Sequence, residues 1–227
     1  MIAVLDYGIG NLRSAEKALQ RQGADARLVT DPDEAAAADG LVLPGVGAFG
    51  SCMKALVHSG LDRAIRAAVA AGVPFLGICV GMQLLYEGSD ESPHVDGLGL
   101  LPGVVRRLGE GVKRPQMQWN RLDIVVPGPL LRGPAFEGPG ADPWVYFVHS
   151  YMAPLDDRVV ATCDYGGPVT AVVARDRLWA TQFHPEKSGP TGLALLANFT
   201  ALVAGGAAAD GAAAGGAVSG ASGGVGG

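Results

Sequence analysis

The sequence predicts an α/β fold: a central, mostly parallel sheet flanked by helices, followed by a more antiparallel second portion. Three observations lead there. Short apolar runs rich in strand formers alternate with helix-period segments from Ile2 to Leu85, the rhythm of βαβ units. Glycine-bearing turns follow these runs directly, as they do at the carboxyl ends of parallel strands. After Tyr86, polar turns, prolines and short alternating runs replace that rhythm, the mark of antiparallel pairing.

Taken in order, Ile2 to Leu5 reads as a buried strand, and Asp6-Tyr7-Gly8-Ile9-Gly10-Asn11 as the loop into a helix with Leu12, Ala15 and Leu19 at helical spacing. Gly23 stops it. A Gly8-x-Gly10 pair after a strand raises a dinucleotide site, but the third glycine of that fingerprint would fall on Arg13. A second strand spans Ala26 to Val29, the Asp33-Glu34-Ala run suits a short helix, and Gly40-Leu41-Val42-Leu43 is a third strand. Pro44-Gly45-Val46-Gly47-Ala48-Phe49-Gly50 follows at once. Its glycines leave backbone amides unshielded and free to reorient, so it is either an ordinary βα loop or an oxyanion-stabilising one. Helical patterns run from Ser51 to Ser59 and from Leu61 to Ala71.

Pro74-Phe75-Leu76-Gly77-Ile78 then leads into Cys79-Val80-Gly81 and a pattern that suits a helix. This puts Cys79 on a tight strand-to-helix turn, where Gly77 and Gly81 permit close backbone approach. In the second half, Val104 to Leu108, Leu122 to Val126, Trp144 to Val148 and Val159 to Cys163 read as strands, and Ala171 to Ala174 pairs with Leu178 to Gln182 across Arg175-Asp176-Arg177. Phe183-His184-Pro185-Glu186 ends that hairpin. A helix from Gly189 to Val203, apolar on two adjoining stripes, closes a domain of residues 1–203. Residues 204–227 contain only Gly, Ala, Ser, Val and Asp210, and are expected to form a flexible tail.

The 227 residues allow one sizeable core, and 48% are apolar. A net charge of −5, without long single-sign runs, argues against nucleic acid as the ligand. Cys52, Cys79 and Cys163 form no CxxC pair, so neither structural zinc nor a disulfide framework is expected. No apolar run approaches membrane-spanning length, and the expected setting is cytoplasmic, with no membrane partner.

A cysteine nucleophile needs a proton acceptor and a group that orients the acceptor. The amino end of the helix after Cys79 favours negative charge there. His184 is carried at a strand end two residues before Glu186, and in an extended segment such positions share a side. Pro185 keeps His184 out of helical geometry, so Glu186 can accept one ring N–H and leave the other nitrogen to face the thiol.

Gly77-Ile78-Cys79-Val80-Gly81-Met82-Gln83 and Thr181-Gln182-Phe183-His184-Pro185-Glu186-Lys187-Ser188 resemble the two signature motifs of the class I glutamine amidotransferases. Asp6-Tyr7-Gly8-x-Gly10-Asn11, Pro44 to Phe49 and Tyr146 to Tyr151 are similar to the glutaminase subunit of imidazole glycerol phosphate synthase, over residues 2–203. The resemblance implies hydrolysis of glutamine by Cys79, His184 and Glu186. It implies oxyanion donors from Val80 and from the loop at Val46 and Gly47. Gln83, Glu91, Ser150 and Tyr151 would surround the substrate. It further implies a separate (βα)8 cyclase subunit that accepts the ammonia in a heterodimer, with Trp119, Asn120, Tyr146 and Lys187 at the interface or ammonia passage, and no cofactor. The run Pro115-Gln116-Met117-Gln118-Trp119-Asn120 departs from the family pattern, with Gln116 and Gln118 in place of histidine and glycine. The alternatives are an amidotransferase serving another synthase, such as pyridoxal phosphate or anthranilate formation, and an idle binding subunit on the same fold.

Overall fold

A computed structural model describes residues 1–215. The first half alternates strand and helix as expected: β1 (Ile2–Leu5), α1 (Leu12–Arg21), β2 (Ala26–Val29), α2 (Pro32–Ala36), β3 (Gly40–Gly45), α3 (Phe49–Ser59), α4 (Leu61–Ala70), β4 (Phe75–Cys79) and α5 (Val80–Gln83). The second half contains β5 (Gly88–Ser89), β6 (Val104–Arg107), β7 (Gln116–Arg121), β8 (Asp123–Ile124), β9 (Trp144–His149), β10 (Tyr151–Met152), β11 (Val159–Asp164), β12 (Pro168–Arg175) and β13 (Leu178–Thr181). A single 3-10 turn at Pro185–Lys187 and the last helix, α6 (Gly189–Gly215), complete it.

An eight-stranded sheet in the order β2-β1-β3-β4-β13-β12-β11-β8 forms the centre. Its β2 to β13 portion is parallel, and β13, β12, β11 and β8 pair antiparallel. Every residue of β1, β3 and β4 is buried, which is why these strands read as continuous apolar runs rather than alternations. Helices flank the sheet, and α1 shows the pattern: it turns Ala15, Ala18 and Leu19 inward and Arg13 and Lys17 outward. Asp31 caps α2 by accepting from the Asp33 amide at 2.9 Å, with Pro32 at the first helical position.

Three departures from the sequence reading have physical causes. β7 lies in a run where the sequence predicts no strand, because its partner is β9, a strand that begins 23 positions after β7 ends; residue preferences alone do not show such pairing. α5 is a single turn rather than a full helix: Leu84, Leu85 and Tyr86 are each fully buried and carry the chain through turns toward β5. The last helix passes Val203 and reaches Gly215, since alanine-rich backbone favours helix even without large side chains to bury. Residues 216–227, the remainder of the expected tail, lie outside the described residues.

Candidate active site

The parallel strands deliver their carboxyl ends to one place. Gly45 of β3 stands in register with Cys79 of β4, and Ile78 stands in register with Thr181 of β13. The three segments that follow, Val46-Gly47, Val80 and Gln182-Phe183-His184, therefore emerge side by side, where open α/β sheets place their ligands.

Cys79 has φ 56° and ψ −113°, a left-handed backbone that costs a non-glycine residue about 1–3 kcal/mol and is held only by firm surroundings. Those surroundings are backbone on backbone. A Cβ on Gly81 would stand 1.8 Å from the Leu43 carbonyl oxygen, and one on Gly45 would stand 2.7 Å from the Gly81 nitrogen. Only glycine lets β3 and the turn after Cys79 approach this closely. The strained turn lifts the thiol from the strand end, as a nucleophile elbow does.

His184 and Glu186 meet as their spacing suggested. His184 Nδ1 lies 2.8 Å from Glu186 Oε1, and both side chains are only 2% exposed. Burial pushes the imidazole down, but the Cys79 sulfur and the Glu186 carboxylate outweigh it, and its pKa is pushed up to about 10. The ring thus holds its proton at neutral pH, between the Cys79 sulfur and the Glu186 carboxyl group. Asn11, at the start of α1, donates to the same Glu186 oxygen at 3.4 Å. The His184 amide donates to the Tyr146 carbonyl at 3.1 Å and Ser188 Oγ to the His184 carbonyl at 2.6 Å, fixing the backbone that carries the ring.

Cys79 and His184 open on a cavity of about 270 Å³, whose lining includes every residue expected as an oxyanion donor or substrate contact: Val46, Gly47, Val80, Gln83, Glu91, Ser150 and Tyr151. Glu186 is absent from that lining, since it stands behind His184. Glu91 does more than line the wall. Its Oε2 accepts the Phe49 amide at 2.7 Å, and Ser92 Oγ accepts the Gly50 amide at 3.2 Å, so the same short loop anchors the start of α3 and the glycine loop before it.

Of the residues expected at an interface, Trp119 and Tyr146 pair across β7 and β9 with ring centroids 6.0 Å apart. Lys187 is exposed in the turn after Glu186. Asn120 is set apart from them, its amide donating to the Asp164 carbonyl at 2.8 Å. Trp119, Met117 and Trp144 are 48%, 61% and 45% exposed, an uncovered apolar face beside the cavity. The two departures from the family pattern divide: Gln116 is fully buried against Cys163, whereas Gln118 is exposed.

Gln182, for which the sequence suggests no role of its own, is fully buried and lies 3.8 Å from Cys79 Sγ through its side-chain amide. Its place two residues before His184 on an extended segment was the available signal. Among the described residues no group of three or more potential metal-ligating side chains occurs.

The family profile of class-I glutamine amidotransferases matches residues 3–202. The imidazole glycerol phosphate synthase subunit HisH of Methanothermobacter thermautotrophicus is 51% identical over 89% of this chain and 99% of its own length. That of Deinococcus radiodurans is 49% identical over 87% of this chain and 92% of its own. The chain belongs to the class-I glutamine amidotransferases and, within them, to the imidazole glycerol phosphate synthase subunit HisH family. Solved structures agree on the fold. A glutamine amidotransferase crystal structure superposes with a TM-score of 0.69 at 22% identity, covering 90% of this chain and 98% of that one. A putative GMP synthase subunit from Thermoplasma acidophilum gives 0.67 at 22% identity, covering 92% and 96%.

Proposed function

We propose that this chain hydrolyses glutamine to glutamate and ammonia through Cys79, His184 and Glu186, and passes the ammonia to a (βα)8 cyclase subunit that makes imidazole glycerol phosphate in histidine biosynthesis. The observation that carries this reading is the convergence of a strained cysteine and a carboxylate-held histidine on one cavity lined by the glycine loop.

Cys79 Sγ attacks the side-chain carbonyl carbon of glutamine, and the carbonyl π electrons move to oxygen. The N–H groups of Val80 and of Val46 or Gly47 stabilise that oxyanion, a contribution of roughly 3–4 kcal/mol per donor in comparable sites. His184, charged and oriented by Glu186, gives its proton to the departing nitrogen. Ammonia leaves and a γ-glutamyl thioester remains. Neutral His184 then takes a proton from water as the oxygen bonds to the thioester carbon; the C–S bond breaks, sulfur leaves as thiolate beside the recharged ring, and glutamate is released. Gln83, Glu91 and the backbone of Ser150 and Tyr151 hold the substrate's amino-acid end.

Ammonia loses its use once it reaches bulk water, so the apolar face of Met117, Trp119 and Trp144 is read as the seat of the cyclase, forming a heterodimer, with Tyr146 and Lys187 beside the passage. Asn120 belongs to the same strand and acts there through the Asp164 contact that fixes the strand end. Residues 1–203 form the amidotransferase domain and 204–227 an appended tail. A cytoplasmic setting belongs to the same reading, since Cys52, Cys79 and Cys163 are all buried free thiols and suit a reducing compartment. The test is glutamine turnover by the chain alone, with a cyclase subunit, and with cyclase plus its ribonucleotide substrate. Little hydrolysis alone and strong activation in the loaded complex are expected, because the loop from Gly45 to Gly47 must present an amide to the oxyanion. Equal turnover in all three conditions contradicts the coupling.

A further inference from the structure

Three side chains form a hydrogen-bonded line from the substrate wall to the nucleophile, and its polarity is fixed from one end. The Tyr151 carbonyl can only accept, so the Gln83 group that meets it at 3.1 Å is the amide nitrogen. The second hydrogen of that nitrogen goes to Gln182 Oε1 at 3.0 Å. Gln182 must then turn its own NH2 toward Cys79 Sγ, 3.8 Å away. Neither amide can be reversed: turning Gln83 sets its oxygen against the Tyr151 carbonyl and Gln182 Oε1, and turning Gln182 sets its NH2 against that of Gln83. Both side chains are buried, Gln182 completely and Gln83 to within 3%, and the Gln182 amide N–H is tied to the Ala171 carbonyl of β12 at 2.9 Å.

We infer that Gln182 is a positioning residue for the nucleophile: its amide donates to the Cys79 sulfur, holds it as an anion aimed into the cavity, and links it to Gln83. His184 supplies a proton to that sulfur or removes one; a primary amide does neither, so its donation favours only the charged form. Gln83 has no partner for its Oε1 among the described residues and lines the cavity. A substrate ammonium bound to that oxygen polarises the Gln83 amide, and through it the Gln182 amide that faces the sulfur. Substrate capture and nucleophile orientation are thereby joined by two amides.

The inference rests on Cys79 as nucleophile, yet it is tested without glutamine, so its failure and that of the hydrolytic reading are separable. The full-length chain is alkylated with iodoacetamide across a pH series, and modification of Cys79 is followed by peptide mass mapping. Gln182→Met keeps shape and removes the donor. It is expected to slow alkylation at neutral pH about tenfold, the loss typical of a hydrogen bond to a charged group, with the two rates converging at alkaline pH. Rates that match at neutral pH, or a deficit that stays constant across the series as simple displacement would give, overturn it. Should Gln182→Met fail to fold, the unaltered chain gives the second reading: the assigned Gln182 side-chain ¹⁵N–¹H resonances shift when Cys79 is alkylated, and unmoved resonances overturn the inference.

Discussion

Gly81 lies directly beneath Leu43: a Cβ added to it would reach within 1.8 Å of the Leu43 carbonyl oxygen. This contact welds the end of β3 to the turn after Cys79, and so sets the Cys79 thiol against the glycine loop that faces it. Gly81→Ala must push two backbones apart. Overpacking of this kind costs about 1–3 kcal/mol even where side chains can yield, and here backbone meets backbone. Urea unfolding is expected to show a loss of about 3 kcal/mol or more, with turnover abolished. Retained stability would mean the two segments separate freely.

Glu186 governs the proton on His184. Removing its charge while keeping its shape, Glu186→Gln, takes away one of the two partners that raise the imidazole to about 10. The titration of the His184 ring, followed by NMR, should fall toward the ordinary range, and glutamine turnover should drop about 10²–10⁴-fold, as when an orienting carboxylate is lost. An unmoved titration would show that Cys79 alone holds the proton.

His149 makes stability depend on acid. Burial, with a smaller opposing effect from the bond to the Tyr151 carbonyl, lowers its pKa from 6.5 to about 4. Below pH 6.5 the unfolded chain takes up a proton that the folded chain refuses, so stability falls as pH drops from 6.5 toward 4, by a total on the order of 3 kcal/mol. His149→Asn keeps a donor for the Tyr151 carbonyl and removes the titration. Urea midpoints measured between pH 7 and 4.5 should decline less in this variant; parallel declines would assign the acid sensitivity elsewhere.

Trp119 tests the docking face. It is half exposed in the isolated chain, so Trp119→Ala should change the chain's own stability by no more than about 0.5 kcal/mol. Association with the cyclase should weaken by about 2 kcal/mol, roughly 30-fold, as for an aromatic anchor. Titration calorimetry separates this from an unchanged affinity, which would move the interface off this face.

These residues also show what the chain discloses before it is folded. Cys79, His184 and Glu186 were legible because each sits at the end of a local pattern: an apolar run meeting Gly-x-Cys-x-Gly, and a strand meeting His-Pro-Glu. The parallel half of the sheet was legible for the same reason, its strands being buried on both faces and written as unbroken apolar runs. β7 was not, since Gln116–Arg121 becomes a strand only against Trp144–His149. Gln182 was not, because a glutamine's burial and its partner at Gln83, 99 positions away, are tertiary facts. Asn11 reaching Glu186 across 175 positions belongs with it. Local patterns brought out the side chains that converge on the cavity; the polar contacts around them are set by how the strands meet.

In the proposed reaction Cys79 forms a covalent bond to the substrate. The most direct test is rapid acid quenching of the cyclase complex during glutamine turnover, followed by mass mapping of the cysteine peptides. A γ-glutamyl adduct on the Cys79 peptide is expected, lost in Cys79→Ser together with turnover. Turnover that continues in Cys79→Ser, or an adduct found on Cys52 or Cys163 instead, would contradict it.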